Sequence, residues 1–395
     1  MTCYLSVGNR AFADNPILLD VMGAAQATYK VFCDGYQVYE GIASDSFTAN
    51  LSELLRGRFT SRGGFINSGG TWPYLKSPAL QSDYTLSCLV TVADTDGSTW
   101  SRSFTAFRGG IPKRLFRAMA DEGTTFIDEK DKTNANSFFS IRSNGWRISV
   151  KETELLDPLM ILLPSAGTGT AFIRSLDGTL ELELSGTPGK IYGLDLRAIR
   201  TYFIDEYDTV CNVFKLYNQT GSDSVALACT ITIEQAEAAP ERHLVRFRNS
   251  LGMMETVELV GTASMTAEPT TANGGDESTV TLQYDAQTDS YTEVREKISM
   301  VETISIPSGP KRIPEILMLR DMLCSDEVYL VVDGEEWRVL PSCEELAFPL
   351  NPTEPQSFDI ALRMTEGDEC TGFCFINGDF VKPRIFTEQF TEQFS

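Results

Sequence analysis

His243 is the only histidine in the chain, so a Ser-His-Asp or Cys-His nucleophilic site would have to be built around it. Its neighbours Glu241, Arg242 and Arg246 are the company of an exposed, charged residue. No G-x-S-x-G elbow and no G-x-x-x-x-G-K-[ST] phosphate loop occurs. Arg108-Gly109-Gly110-Ile111-Pro112-Lys113-Arg114 sets glycines and basic residues ahead of a helix. That arrangement suits an anion, and the same two glycines also serve to turn a strand into a helix. Two carboxylates alone can hydrolyse a glycoside, but 55 acidic residues supply pairs by coincidence. Cys370 and Cys374 make half a zinc site, and no second close pair completes it. The near-copies Phe126-Ile127-Asp128-Glu129-Lys130-Asp131 and Phe203-Ile204-Asp205-Glu206-Tyr207-Asp208 offer oxygens to calcium. They lack the glycine of a tight calcium loop and read equally as solvated loop tips or as traces of a duplicated domain. No catalytic residue, metal or cofactor is expected, and the chain reads as non-enzymatic.

The elements that would carry such residues are strands. Asp-Gly and Asn-Gly steps between β-prone arms mark two-residue hairpins, because both turn residues need positive φ. They occur at Asp34-Gly35, Asp96-Gly97, Asn144-Gly145, Asp177-Gly178, Asp333-Gly334 and Asn377-Gly378. After Asp177-Gly178, Leu180, Leu182 and Leu184 alternate with Glu181 and Glu183, which gives one dry and one wet face. Leu155 to Leu163 is an apolar run broken only by Asp157 and Pro158 and reads as a buried strand. Short helices are expected at Asn50–Arg56, Pro112–Asp121 and Pro314–Leu323, each with cap or proline signals. The class is mainly β: two or three antiparallel β-sandwich or barrel-like domains with a few short connecting helices.

The chain has 395 residues and a net charge of −22. That field repels phosphate backbones and anionic membranes, so neither nucleic acid nor membrane insertion is expected. The acidity serves solubility, or keeps free subunits apart before assembly. The first residues lack a basic start followed by an apolar run, as a secretory leader would have. Nine cysteines in scattered positions fit a reducing cytoplasm as the place of synthesis. Of these, Cys33, Cys88 and Cys229 sit in apolar runs as small hydrophobes.

Organisation is read from breaks in pattern. The expected division is an N-terminal β-sandwich domain over 1–110 and a middle β domain over 111–265. A linker over 266–278 and a C-terminal β domain over 279–395, with one helix and a tail, complete it. Gly57 to Ser77 is rich in glycine yet carries Phe59, Phe65, Trp72 and Tyr74. It reads as a loop packed on its own domain, or as an arm that docks on a neighbour through Trp72. At the end of the chain, Phe386, Phe390 and Phe394 recur with period four. They form either a frayed tail or one that docks on a partner. Trp100, Trp146 and Trp337 are expected in the core, although sugar-binding sandwiches expose such residues.

The stretch Leu244 to Gly261 is a hairpin with arginines on one arm, glutamates on the other and two methionines at its bend. Arg246, Arg248, Glu255 and Glu258 can pair across the ladder or between copies of the chain. Met253 and Met254 would offer adaptable apolar contact at the tip. Arg246-Phe247-Arg248-Asn249-Ser250-Leu251-Gly252-Met253-Met254-Glu255-Thr256 resembles an F-x-N-x-x-G-x-x-E-T pattern of virion proteins in tailed bacteriophages and prophages of Bacteroides-type gut bacteria. Leu319 to Val339 resembles a helix, L-x-S-x-x-V-Y, W-x-V pattern of the same family, and Asn15-Pro16-Ile17, Asp34-Gly35 and Leu51 to Leu55 match it more weakly.

The resemblance implies a non-enzymatic structural subunit of a tail tip or baseplate, made in the bacterial host cytoplasm and located in the virion tail. Its implied partners are copies of itself in a ring and other tail or baseplate proteins. The candidate intersubunit contacts are then Arg246, Arg248, Met253, Met254, Glu255, Glu258, Trp72, Phe386, Phe390 and Phe394. The alternative is a carbohydrate-binding β-sandwich adhesion module.

Overall fold

The structure is a computed structural model that describes residues 1–59, 63–66, 74–222, 224–236, 238–239, 241–271, 280–295, 298–347 and 354–365. Strand takes 49% of the chain against 15% for helix, so the class is mainly β with several sheets. The chain divides into two compact units, Met1–Glu237 with Arg248–Thr256, and Ala238–Phe247 with Val257–Ser395. This division falls at neither 110 nor 265.

The first sheet of the first unit is built from β1 (Thr2–Leu5), β2 (Arg10–Phe12), β3 (Leu18–Cys33) and β4 (Tyr36–Asn50). The short β5 (Phe65–Ile66) and β6 (Leu75–Pro78) belong to another sheet, and β7 (Thr85–Asp94) and β8 (Thr99–Phe107) return to the first. The order is β1-β3-β7-β8-β2, with β4 on β3. β4 pairs with β3 from Leu18↔Asn50 to Cys33↔Tyr36. β1 and β7 therefore share the other side of β3, at Leu19–Met22 and Ala27–Cys33 respectively. β1 and β7 thus lie end to end beside β3, which puts β1 two strand steps, about 10 Å, from β2, a gap that residues 6–9 span. Its core is Leu19, Val21, Val31, Leu55, Val90, Val92 and Phe104 with their neighbours.

Two of the expected turns form as two-residue turns with both residues at positive φ: Asp34 and Gly35 at 49° and 84°, and Asp333 and Gly334 at 52° and 82°. At 96–97 and 177–178 only the glycine is positive and the loops between strands are longer, and the third turn is shifted to Gly145-Trp146, between the paired Asn144 and Arg147. Asn377-Gly378 lies outside the described residues. α1 (Ser52–Arg56) is capped at Leu51 rather than Asn50, although Asn50 Oδ1 still accepts from Ser52 N at 3.2 Å. α2 (Lys113–Asp121) and α3 (Phe126–Lys130) follow β8, and α4 (Leu196–Tyr207) comes later in the unit. The two F-I-D-E copies are thus helical, not loop tips. Thr125 accepts from Asp128 N at 3.1 Å and Asp195 from Ala198 N at 2.9 Å, and these caps start α3 and α4.

A second sheet runs Glu181–Ser185, Thr170–Ser175, Val213–Gln219, Val225–Glu234, Arg147–Lys151, Ser143–Asn144. A third joins Leu159–Leu162, all buried as expected, to Ile191–Leu194, β6 and β5. The residues Ser137 to Arg142, expected as a hairpin arm, form only a bridge at Phe138↔Ile161, because Phe138 and Phe139 are fully buried in the core. α4 lays Leu196, Ile199 and Phe203 into that core, with Phe203 stacked on Phe214 at 5.5 Å.

In the second unit α5 (Ile313–Leu323) buries Ile316, Met318, Leu319 and Met322. Its helix start is secured by Glu315, whose carboxylate accepts from Arg312 N at 2.9 Å. The sheet order is Met254–Val260, Arg242–Arg248, Val328–Val332, Glu335–Ser342, Asp359–Met364, Ile298–Pro307, Ser264–Thr271. The first and last of these strands are joined by residues 261–263 alone, too few to cross a flat sheet of seven strands, so this sheet is curled. Ser264–Thr271 overturns the start of the expected linker: eight of its residues pair with Ile298–Ser305. The sequence hides it because an edge strand needs no apolar run and tolerates Pro269. Residues 272–279 lie outside the described part.

Candidate functional site

The bend of the sequence-predicted hairpin, Arg248–Thr256, belongs to the first unit. It is not a surface tip. Met253 is 1% exposed, Met254 4%, Glu255 2% and Arg248 7%. Asn249 organises the turn: its Oδ1 accepts from Met253 N at 2.9 Å, and its Nδ2 donates to Glu255 Oε2 at 2.7 Å and to Phe139 O at 3.0 Å. Gly252 sits at φ +86°, and a Cβ there would lie 2.6 Å from Arg108 O. A Cβ on Gly109 would lie 2.5 Å from Ser250 O, and Gly110 N donates to Ser250 O at 2.7 Å. The Gly109-Gly110 pair is therefore occupied by backbone, which leaves no room for an anion.

Glu255 is held from several directions. Ser140 Oγ donates to it at 2.5 Å, and Arg142 Nε lies 3.5 Å away. Arg142 in turn pairs with Glu154 at 2.5 Å and donates to Thr256 O. These side chains are nearly solvent-free, so each charge depends on its partners. Asn249, Gly252, Glu255 and Thr256 of the family-like pattern thus all have intramolecular structural roles. Arg248 donates to Gly252 O at 3.0 Å.

In the second unit, Arg246 pairs with Glu336, and Glu258, 3% exposed, lies 3.5 Å from Arg242. None of Arg248, Met253, Met254, Glu255 or Glu258 is presented for contact with another copy. Trp72, Phe386, Phe390, Phe394 and the Cys370–Cys374 pair lie outside the described residues. His243 is half-buried rather than exposed. Its Nε2 lies 3.2 Å from Gly261 O, and burial lowers its pKa below 6.5. Among the described residues no group of three or more His, Cys, Asp and Glu is placed to hold a metal.

Two features were not legible in the sequence. The first is β4. Among the described residues it pairs only with β3, which leaves one edge of a 15-residue strand open there, and none of its side chains is buried. Tyr36 is 78% and Ile42 66% exposed. Gly41 lies under the Tyr29 ring, which sits 5.6 Å from Tyr39 and 5.3 Å from Phe47. These contacts pack β4 on β3 across a ladder with three register shifts, and Glu40, 3.4 Å from Lys30, and Asp45 are the only charges of β4.

The second is a cleft of about 580 Å³ where β1, the start of β8, α2 and α3 meet. Trp100 and Arg102 alternate onto its wall from β8, and Phe116, Met119 and Phe126 face them from the helices. α2 has no fully buried residue, and Phe116 and Met119, three apart, are its inward stripe. The polar rim is partly committed. Arg10 pairs with Asp131 at 2.7 Å and donates to Ser165 at 2.6 Å, and Thr125 Oγ1 donates to Asp128 at 2.7 Å. Behind the wall Lys130 lies 5.2 Å from the Phe126 ring, and burial lowers its pKa to about 8. An apolar wall with a few polar groups suits a small ligand. Trp146, expected in the core, is 50% exposed beside its turn.

Neither a protein-family model nor a curated protein sequence matches the chain. Three solved structures share a distant likeness. One concerns host cell surface retention of a 1.5-MDa bacterial ice-binding adhesin, at 13% identity and TM-score 0.17, over 75% of this chain and 86% of that one. The second is a Bacteroides ovatus mixed-linkage glucan utilisation protein, SGBP-B, in complex with a mixed-linkage heptasaccharide, at 11% identity and TM-score 0.17, over 84% and 64%. The third is a Ca2+-stabilised adhesin of an Antarctic ice-binding bacterium, at 9% identity and TM-score 0.17, over 88% and 86%. Likeness at this level bears on neither fold nor function.

Proposed function

We propose that the chain is a non-enzymatic structural subunit that joins copies of itself through the open edge of β4. The setting is a ring in the tail tip or baseplate of a tailed phage, the family its sequence patterns resemble. The observation that carries this reading is β4 itself. An unpaired row of backbone N–H and C=O groups is a template for another strand, and monomeric proteins blunt such edges with proline, lysine or a covering element. Here 15 residues are left open, with tyrosine and isoleucine side chains beside them. The bend around Asn249, by contrast, works inside the subunit.

Light scattering across a concentration series tests the reading. Species above the 43.7 kDa of one chain are expected for the native protein, and Ile42→Lys with Tyr36→Lys should reduce them while circular dichroism stays unchanged. A native protein that remains at one chain's mass at all concentrations sinks it.

The cleft supports a second reading, a carbohydrate-binding adhesion module. Trp100 offers a ring face and Arg102 a donor to sugar hydroxyls in a space of suitable size. Calorimetry against a glycan panel, repeated with Trp100→Ala, checks it. No heat with any glycan rules it out for that panel.

A further inference from the structure

Cys33 and Cys88 are free and buried, at 5% and 1% exposure, and they are direct Cα partners between β3 and β7. The next pair along, Asp34 and Ser87, is hydrogen-bonded: Asp34 N donates to Ser87 O at 2.8 Å. In an antiparallel ladder hydrogen-bonded and non-bonded pairs alternate, so Cys33 and Cys88 occupy a non-bonded site. There the Cα atoms approach to about 4.5 Å and the side chains lie closest. That separation falls within the range a disulfide spans, about 4.4 to 6.8 Å.

We propose that Cys33 and Cys88 are a dithiol that closes into a cross-strand disulfide by exchange with a small disulfide donor, clamping β3 to β7. The two thiols are unequal. The Cys88 thiol donates to Leu86 O at 3.6 Å, while the Cys33 pKa is lowered by its contact with Cys88 and, to a smaller extent, by Arg58. The same interaction, with burial, raises Cys88.

Cys33 also stands last in β3, beside the exposed Asp34-Gly35 turn, so it is the sulfur an incoming reagent reaches by fraying of the hairpin end. The Cys33 thiol gives up its proton and its sulfur attacks the donor disulfide. The donor S–S bond breaks, and one half leaves as a thiolate that takes up a proton. Cys88 then loses its proton and attacks the Cys33 sulfur, releasing the second half, which is protonated in turn. Two cysteine thiols are oxidised and one donor disulfide is reduced to two thiols. The product ties the strand that carries β4 to the centre of its sheet. The pair stays open in a reducing compartment and closes outside it.

The test uses the full chain and glutathione disulfide. After exposure, the protein is unfolded, alkylated with iodoacetamide and mapped by peptide mass. Both Cys33 and Cys88 should be blocked and joined in one linked peptide pair, with that pair lighter by about 2 Da than its two thiol peptides. The thermal midpoint should rise by about 5 °C or more, because a long loop is closed in the unfolded chain. Cys88→Ser should retain one glutathione on Cys33. The proposal is overturned if Cys33 and Cys88 remain alkylatable under conditions that oxidise other cysteines. It is equally overturned if glutathione stays on either residue of the native chain without closure.

Discussion

From Leu251 to Leu259 every residue is buried, whereas no side chain of β4 is. Both regions belong to hairpins with polar and apolar residues interleaved, and both have arms of strand length. They differ in what lies across from them. The bend has charges facing it inside the chain: Arg142 and Ser140 for Glu255, and Phe139 O for Asn249. Among the described residues β4 has β3 on one side and no strand on the other. A charged residue in a hairpin therefore says little by itself about partners outside the subunit. The partner that satisfies it decides whether it is structure or surface.

The contrast can be broken by experiment. The largest expected effect is at Glu255. Glu255→Ala removes the acceptor for Ser140 and Asn249 and strips one carboxylate from buried Arg142, so urea unfolding should show a loss of about 3 kcal/mol. A change under about 0.5 kcal/mol, the range of ordinary surface positions, would mean the bend is not a packed network. Gly252→Ala should cost about 2 kcal/mol, since it combines positive φ with a clash against Arg108 O. Neither variant, where it folds, should alter self-association.

A smaller effect comes from His243. Burial holds its folded pKa below 6.5, so the unfolded chain binds a proton more readily than the folded one. Stability should be full above about pH 6.5, fall as pH drops from there to the folded pKa, and level off below it. His243→Gln should flatten that part of the curve, and an unchanged profile would place the titration elsewhere. The least effect on stability is expected at β4. Ile42→Lys should change it by less than about 0.5 kcal/mol while weakening assembly. Lost stability with unchanged assembly would reverse the comparison.

The hairpin turns were legible because their cause is local. A two-residue turn needs positive φ at its centre, and Asp-Gly supplies it at 34–35 and 333–334 whatever the rest of the chain does. α2 and α5 were legible for the same reason, through proline, cap and period. The strand Ser264–Thr271 was not. It is an edge strand in which Met265 is the only large apolar residue and Pro269 interrupts the pattern, and its strand character comes from pairing with Ile298–Ser305. The F-I-D-E copies were read as loops because their carboxylates outweighed the cap residues ahead of them. Of the cleft, Trp100 and Phe126 had been singled out for separate reasons, and no spacing rule links them to each other or to Phe116 on another helix. The length of β4 was visible only in part, through Tyr36 to Gly41 after the turn.

By itself the sequence determined the mainly β class, the positions of the tight turns and the short helices, since propensity and periodicity act over a few residues. It also singled out Asn249, Gly252 and Glu255 as a pattern. Tertiary structure alone decided what that pattern does. The Ser140 hydroxyl on Glu255 comes from 115 residues away, and Cys33 meets Cys88 only through the register of β3 on β7. Burial and pairing depend on which distant strand arrives opposite, and strand register is set by the whole sheet at once.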